Sequence, residues 1–228
     1  MTIFTFALKR IFKDKTNLIF LTMFPVAAIF LPEPDVWPLL PFGYHYFGVL
    51  ILFVAIRLTG ILVEDRQKGV LKRLAAAPVT HFQYLFQNLL AFAVILIAQC
   101  MFIIAGGVIY GHDLYEPLLL LILFIVFSFT AIALSLAWNS LYRNKETSFL
   151  VFMCVIILMA MLGGIMFPIE MLPDILEKIA VIFPTYWLAE GLDWVVMGED
   201  TADFLLINGV LLLYTLLFLI IGSIRRIG

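Results

Sequence analysis

Charge is scarce in this chain. Only 13% of its 228 residues are Asp, Glu, Lys or Arg, against roughly 25% in a soluble domain. That excludes a water-soluble globular body. No stretch reads Gly-x4-Gly-Lys-Ser/Thr, so the chain lacks the phosphate cradle of a P-loop ATPase. Cys100 and Cys154 are the only cysteines, each inside an apolar tract. A disulfide framework or zinc site is excluded, and both read as small core residues. His45, His81 and His112 are far apart and near the ends of apolar runs, which offers no metal-ligand set. No apolar run contains Asp or Glu. Intramembrane hydrolases need paired acids or metal ligands at that depth, and ion-coupled carriers usually keep an acid or a repeated half there. No internal repeat is visible either.

What the chain has instead is oil. It is 64% hydrophobic and contains 22 Phe, which defines an all-α integral membrane protein with room for roughly six or seven spans of about 20 residues. Residues 2–15 read as an interfacial helix, with Phe4, Leu8 and Ile11 on one face and Thr2, Thr5, Lys9 and Lys13 on the other. Lys9, Arg10, Lys13 and Lys15 precede the first apolar run as in a signal sequence. No small-residue cleavage site follows, so an uncleaved span is expected. Six transmembrane helices are expected at about 17–31 (kinked at Pro25), 44–63, 84–109, 118–138, 149–167 and 204–224. Tyr44, His45 and Tyr46 stand where an aromatic belt would, and 139–148 reads as a loop. Gly163, Gly164, Phe167 and Pro168 close the fifth span, where the glycines and proline let it bend or pack closely. The apolar segment 179–189 is too short to cross and is interrupted by Pro184, with Tyr186 and Trp187 following. Two short helices, about 171–182 and 185–197, are expected to dip into or lie on the membrane. Gln99, Ser128, Thr130, Ser135 and Asn208 are expected to make interhelical hydrogen bonds.

The charges give an orientation. With both termini inside, twelve of the fourteen basic residues fall on the cytoplasmic side and twelve of the sixteen acids fall outside, as the positive-inside rule requires of the basic residues. The densest charge lies between spans two and three. There Glu64, Asp65, Arg66, Lys68, Lys72 and Arg73 surround Gly69. Val70, Leu71 and Leu74 share one helical face, Lys68, Lys72 and Arg73 point elsewhere, and Pro78 stops the run. Gly69 can loosen the chain before it. A short amphipathic helix over about 66–77 follows, on the cytoplasmic side. Composition alone leaves two roles open for it: an inner loop that enforces topology, or a docking element. Arg57 is the only basic residue within a span. It either snorkels to the inner interface, or lines an inner vestibule or pairs with Glu64, two helical turns away.

The pattern Glu64-x4-Gly69-x-Leu71-x-Arg73-Leu74-x3-Pro78 resembles the cytoplasmic motif of ABC-2 type transporter permeases, the type V exporter fold. Gly163-Gly164-Ile165-Met166-Phe167-Pro168-Ile169-Glu170-Met171-Leu172-Pro173, with Phe183-Pro184-Thr185-Tyr186-Trp187 and Gly191-Leu192 after it, is similar to that family's signature around the fifth span. The resemblance covers essentially the whole chain. It implies that residues 66–77 form a coupling helix in a cleft of a separate ATPase subunit. Glu64, Arg66, Lys68, Gly69, Val70, Leu71, Lys72, Arg73, Leu74 and Pro78 would be the coupling residues. It also implies that Gly163, Gly164, Phe167 and Pro168 line a dimer interface and outer gate, and that Pro184, Tyr186 and Trp187 belong to a re-entrant hairpin between spans five and six.

On this reading the chain is no enzyme and binds no cofactor; ATP and Mg sit on the partner. A single six-span chain encloses little pathway, so a second permease protomer, identical or different, is expected beside it. The setting is a plasma membrane or bacterial inner membrane, with no nucleic acid involved. The expected activity is export of an amphipathic drug, antibiotic, peptide or lipid-like substrate. A permease for a polysaccharide or lipid-linked glycan is the alternative within the family, and a secondary transporter or channel is the alternative outside it.

Overall fold

The computed structural model describes residues 2–32, 40–70, 81–198 and 200–224. Among them every regular element is helical: α1 (Thr2–Lys13), α2 (Lys15–Ile29), α3 (Phe42–Gln67), α4 (His81–Tyr110), α5 (Pro117–Leu141), α6 (Lys145–Leu162), a 3₁₀ turn (Ile169–Met171), α7 (Asp174–Ala180), α8 (Pro184–Met197) and α9 (Thr201–Ile224). In hydrocarbon a helix satisfies its own backbone, which is why a chain this apolar takes that form. Five helices are long and apolar enough to cross a membrane: α3, α4, α5, α6 and α9. The pair α7 and α8 would add a sixth if counted as one span, but it is bent by 92°. The span expected at 17–31 is a 15-residue helix. At 1.5 Å per residue it covers about 22 Å, short of the roughly 30 Å hydrocarbon core. Pro32, which disfavours helix in the residue before it, stands just past its end.

α3 is the axis of the bundle. Within its apolar window 72% of residues are buried, against 28% for α6 and for α9. It packs against α2, α4, α5, α6 and α8, while α9 lies along α5 and α8. Tyr44, Phe47, Phe92, Phe124, Phe127 and Phe152 are the largest fully buried side chains, and Phe47 meets Phe124 edge-on at 5.1 Å. On α1, Ala7 and Ile11 are buried against α2 and α4. The opposite side is not purely polar, because Phe6 and Phe12 project there, 67% and 56% exposed.

Pro25 stands inside α2. Proline has no N–H to give the carbonyl four residues back, at Leu21. The Gln99 side chain of α4 reaches across and donates to that carbonyl at 2.9 Å. The orphan that the proline makes is thus satisfied by a neighbouring helix.

Several boundaries differ from the sequence reading. The loop expected at 139–148 shrinks to 142–144, because α5 runs on to Leu141 and α6 starts at Lys145. Asn144 caps α6, accepting from the backbone N–H of Glu146 and Thr147 at 2.8 and 3.2 Å, so the charged first turn is helical. α6 then ends at Leu162, before the two glycines rather than bending at them. Tyr44 and His45 do not form a belt: they are 0% and 1% exposed and point into the bundle. Cys100 is buried as expected, but Cys154 is exposed on α6.

The intramembrane polar groups divide. Thr130 bonds across to the Leu211 carbonyl at 2.9 Å and to Thr215 at 3.0 Å. Ser128 bonds within its helix to Phe124 and touches Cys100 at 3.5 Å. The Asn208 amide donates within its own helix to Phe204. Ser135 Oγ and Asn208 Oδ1 are buried without a hydrogen-bond partner among the described residues.

Candidate functional site

The end of α3 is where the helices of one end of the bundle converge. Glu64 and Asp65 follow Val63, the last residue of the apolar run. Asp65 Oδ1 takes the Arg10 guanidinium of α1 at 2.5 Å, and Asp65 Oδ2 accepts from the Tyr84 hydroxyl of α4 at 2.5 Å. Glu64 collects Lys68 at 2.5 Å, Lys145 of α6 at 2.9 Å and Arg10 at 3.5 Å. Gln67 donates to the Arg143 carbonyl at 2.8 Å, and the Phe4 N–H donates to Gln87 Oε1 at 3.1 Å. Four helices (α1, α3, α4 and α6) are therefore joined by side chains around two adjacent acids. Only 8% of the Asp65 side chain is exposed, so its charge depends on these partners.

α3 stops immediately after this knot. Gly69 adopts φ +66°, in the left-handed region that glycine enters without a Cβ penalty. A Cβ there would meet nothing within 4 Å, so the requirement is purely one of backbone. Gly69 thus ends the helix with a turn rather than merely loosening it. Lys68 is exposed, while Arg66, Gly69 and Val70 are half-buried. Arg66 Nε is buried without a partner among the described residues. Leu71, Lys72, Arg73, Leu74 and Pro78 lie outside the described residues, and with them most of the helix expected at 66–77. A cleft of about 720 Å³ opens beside the knot, lined by Ile3, Ala7, Asp65, Val70, Tyr84 and Asn88 among others.

Arg57 does not pair with Glu64. Its Nε and Nη2 donate to Asn17 Oδ1 of α2 at 3.2 and 2.8 Å. The guanidinium lies over the Phe20 ring at 4.7 Å and the Phe149 ring at 6.0 Å. Phe53 connects these rings, 5.2 Å from both Phe20 and Phe24 and 5.6 Å from Phe149. A delocalised cation of this kind is stabilised by aromatic faces.

At the opposite end, Gly163 caps α6, its N–H donating to Met159 O at 2.9 Å, and Gly164 turns with φ +79°. A Cβ on Gly163 would collide with Thr185 Oγ1, whose hydroxyl already donates to Met159 O at 2.6 Å. His45 Nε2 faces Gly164 O at 3.4 Å, and Tyr44 meets His112 at 3.1 Å. Phe167 is 46% exposed, and Pro168 precedes the 3₁₀ turn. Pro184 opens α8 at its first position, where its missing N–H costs nothing. Trp187 donates to Val181 O at 3.0 Å and Tyr214 of α9 to Ile182 O at 2.8 Å, pinning the bend. Tyr186 stacks edge-on against Trp187 at 5.4 Å.

Of the residues expected to couple, those on α3 and its C-cap (Glu64, Arg66 and Lys68) thus lie together at one end. Gly163 and Gly164, expected at a gate, lie with Pro184 at the other, and Arg57 stands apart from both. Sequence reading missed Arg10, Tyr84 and Lys145 as partners of the two acids. It also missed a buried chain linking α3, α5 and α6, in which Asn139 donates to Thr59 at 2.8 Å and Ser148 donates to Asn139 at 2.6 Å. The available signal was polarity in apolar helices, which marks a need for partners without naming them.

Five long apolar helices and a sharply bent helical pair define a multi-pass membrane protein. The family model described as ABC-2 family transporter protein matches residues 39–224, and the chain belongs to that family. It is similar to the linearmycin resistance permease protein LnrN of Bacillus subtilis (strain 168), at 27% identity over 172 residues. That similarity takes in 73% of this chain and 45% of the relative, so the chain matches less than half the length of that curated protein.

Proposed function

We propose that this chain is the permease subunit of an ATP-driven exporter, paired with a separate ATPase and a second permease protomer. On this reading both termini are cytoplasmic, which needs an even number of crossings; α2, at about 22 Å, would cross as a short span with the bilayer thinned around it and bring the five long helices to six. The observation that carries the reading is the convergence of α1, α3, α4 and α6 directly before residues 71–80 in a chain of this family. An ATPase cleft that grips Val70, Leu71 and Leu74 for packing and Lys72 and Arg73 for register would push on α3 and α4 together. The Arg10–Asp65–Tyr84 linkage would carry α1 along with them. The thinly buried α6, with Leu150, Ile157 and Leu158 exposed, supports a second protomer on that face. The Gly163–Pro168 turn and the hairpin would then close the outer side. The relative named for linearmycin resistance supports an antibiotic-like, amphipathic cargo taken from the membrane.

The test is affinity capture from native membranes joined to a transport assay. An ATP-hydrolysing subunit should co-purify. Leu71→Asp with Leu74→Asp should lose both that subunit and transport. A chain that retains no ATPase, and whose double variant transports normally, sinks the reading.

A further inference from the structure

We propose that the groove between α1, α2, α3 and α6 binds the anionic headgroup of a membrane phospholipid. Two cavities, of about 570 and 430 Å³, adjoin there through the shared wall of Asn17 and Lys145. Five cations line them (Lys9, Arg10, Lys13, Arg57 and Lys145) against three carboxylates, Asp14, Glu64 and Glu146. Glu64 is already held by Arg10, Lys68 and Lys145, and Arg10 and Lys145 are committed to the knot. Lys9 and Lys13 stand exposed at the mouth. Deeper in, Arg57 gives two of its donors to the neutral Asn17 oxygen, and a guanidinium has five. Asp14 is the acid whose charge acts on it. The arrangement therefore has cationic donors in excess, at the mouth and at depth, which suits a phosphate oxyanion.

The remaining walls decide between a free phosphate and a lipid. Ile56, Ile61, Phe149 and Leu150 line the cavities, and Leu150 and Phe6 are 65% and 67% exposed. A soluble anion gains nothing from such walls, whereas the upper part of an acyl chain does. The basic ring at the mouth of an apolar groove thus matches a phospholipid set into the bilayer surface. Only the choice of leaflet rests on the orientation proposed above: with the N-terminus inside, it is the cytoplasmic leaflet, where anionic lipid is abundant.

Purified chain in detergent, given equimolar phosphatidylglycerol and phosphatidylcholine, should retain phosphatidylglycerol preferentially in native mass spectrometry. Lys9→Gln with Lys13→Gln, both on the exposed surface, should lower that preference roughly tenfold. Arg57→Gln should lower it further, while Arg57→Lys keeps it. Equal retention of the two lipids, or indifference to these substitutions, overturns the proposal. Glycerol 3-phosphate should fail to displace the lipid; complete displacement would make this a site for a soluble phosphate instead. A dimer that retains neither lipid would make the groove a contact between copies, which also overturns it. Leaflet is tested separately, by labelling Lys13→Cys in a Cys100→Ser, Cys154→Ser background with a membrane-impermeant maleimide. Labelling from outside would reverse the orientation while leaving the lipid preference in place.

Discussion

At the basic end of the bundle, α1, α3, α4 and α6 meet through side-chain charges centred on Glu64 and Asp65. At the hairpin end, α6, α8 and α9 meet through side chains that bond to backbone carbonyls. The difference lies in how much each junction can readjust. Arg10 reaches both acids, and Glu64 holds three cations at once. Long cationic chains can shift between such partners without leaving a charge unpaired. Thr185 donates to Met159 O and Trp187 to Val181 O, and the Tyr214 hydroxyl reaches Ile182 O at 2.8 Å and Val181 O at 3.3 Å, so each of these side chains is tied to fixed backbone carbonyls. Such carbonyls do not move with a side chain, so the bonds cannot pass to another helix without loss. The end adjoining residues 71–80 is thus the adjustable one, and the hairpin end holds its shape.

The strongest break in that comparison is Asp65→Ala. It removes the acid that α1 and α4 share and leaves Arg10 half-buried with, among the described residues, the 3.5 Å contact to Glu64. Losing one partner of a largely buried ion pair costs roughly 3 kcal/mol, which thermal unfolding in detergent should register. Tyr84→Phe removes one hydrogen bond to the same carboxylate and should cost about 1 kcal/mol. Asp65→Ala with Arg10→Ala should cost less than the sum of the single changes. Strict additivity would mean that the two residues do not act as a pair.

Gly163→Val tests the other end. Its Cβ would press on Thr185 and lie 2.6 Å from the Met159 carbonyl, and overpacking of this kind costs roughly 2 kcal/mol. Salt separates the two ends. High ionic strength screens the partly exposed pairs around Glu64, so the loss on Lys145→Gln should shrink between low and high salt. The loss on Gly163→Val should not change. Equal salt dependence at both ends would erase the contrast.

Long-range partners explain what the sequence could and could not tell. Hydropathy located the long helices because transfer of some 20 residues into hydrocarbon is a sum that no single contact overrides. The bend at Pro184 was legible because Pro, Tyr and Trp mark it locally. The partners of Glu64 and Asp65 were not, because Arg10 and Lys145 are far off in the chain and any basic residue of the same end would have served equally. The start of α6 was misplaced because charges at 143–146 look like a loop, whereas Asn144 capping makes them a first helical turn. Tyr44 and His45 were misread because aromatic residues at a span end fit either a belt or a packed core. Their neighbours His112 and Gly164 become visible only in three dimensions.

Midway between the ends, the Gln99–Leu21 bond uses the hairpin end's device, a side-chain donor on a backbone carbonyl, in the service of Pro25. Gln99→Leu should therefore cost about 1 kcal/mol, within the range for polar contacts between membrane helices, because the Leu21 carbonyl is left without a donor. Pro25→Ala supplies a backbone N–H at position 25, which can take the Leu21 carbonyl as in any uninterrupted helix. In that background Gln99→Leu should cost close to nothing, since the amide is no longer needed there. The four proteins of this cycle, unfolded under one condition, give the coupling directly. If Gln99→Leu costs the same with and without Pro25, the glutamine is held for another reason, and the backbone-carbonyl device belongs to the hairpin end alone.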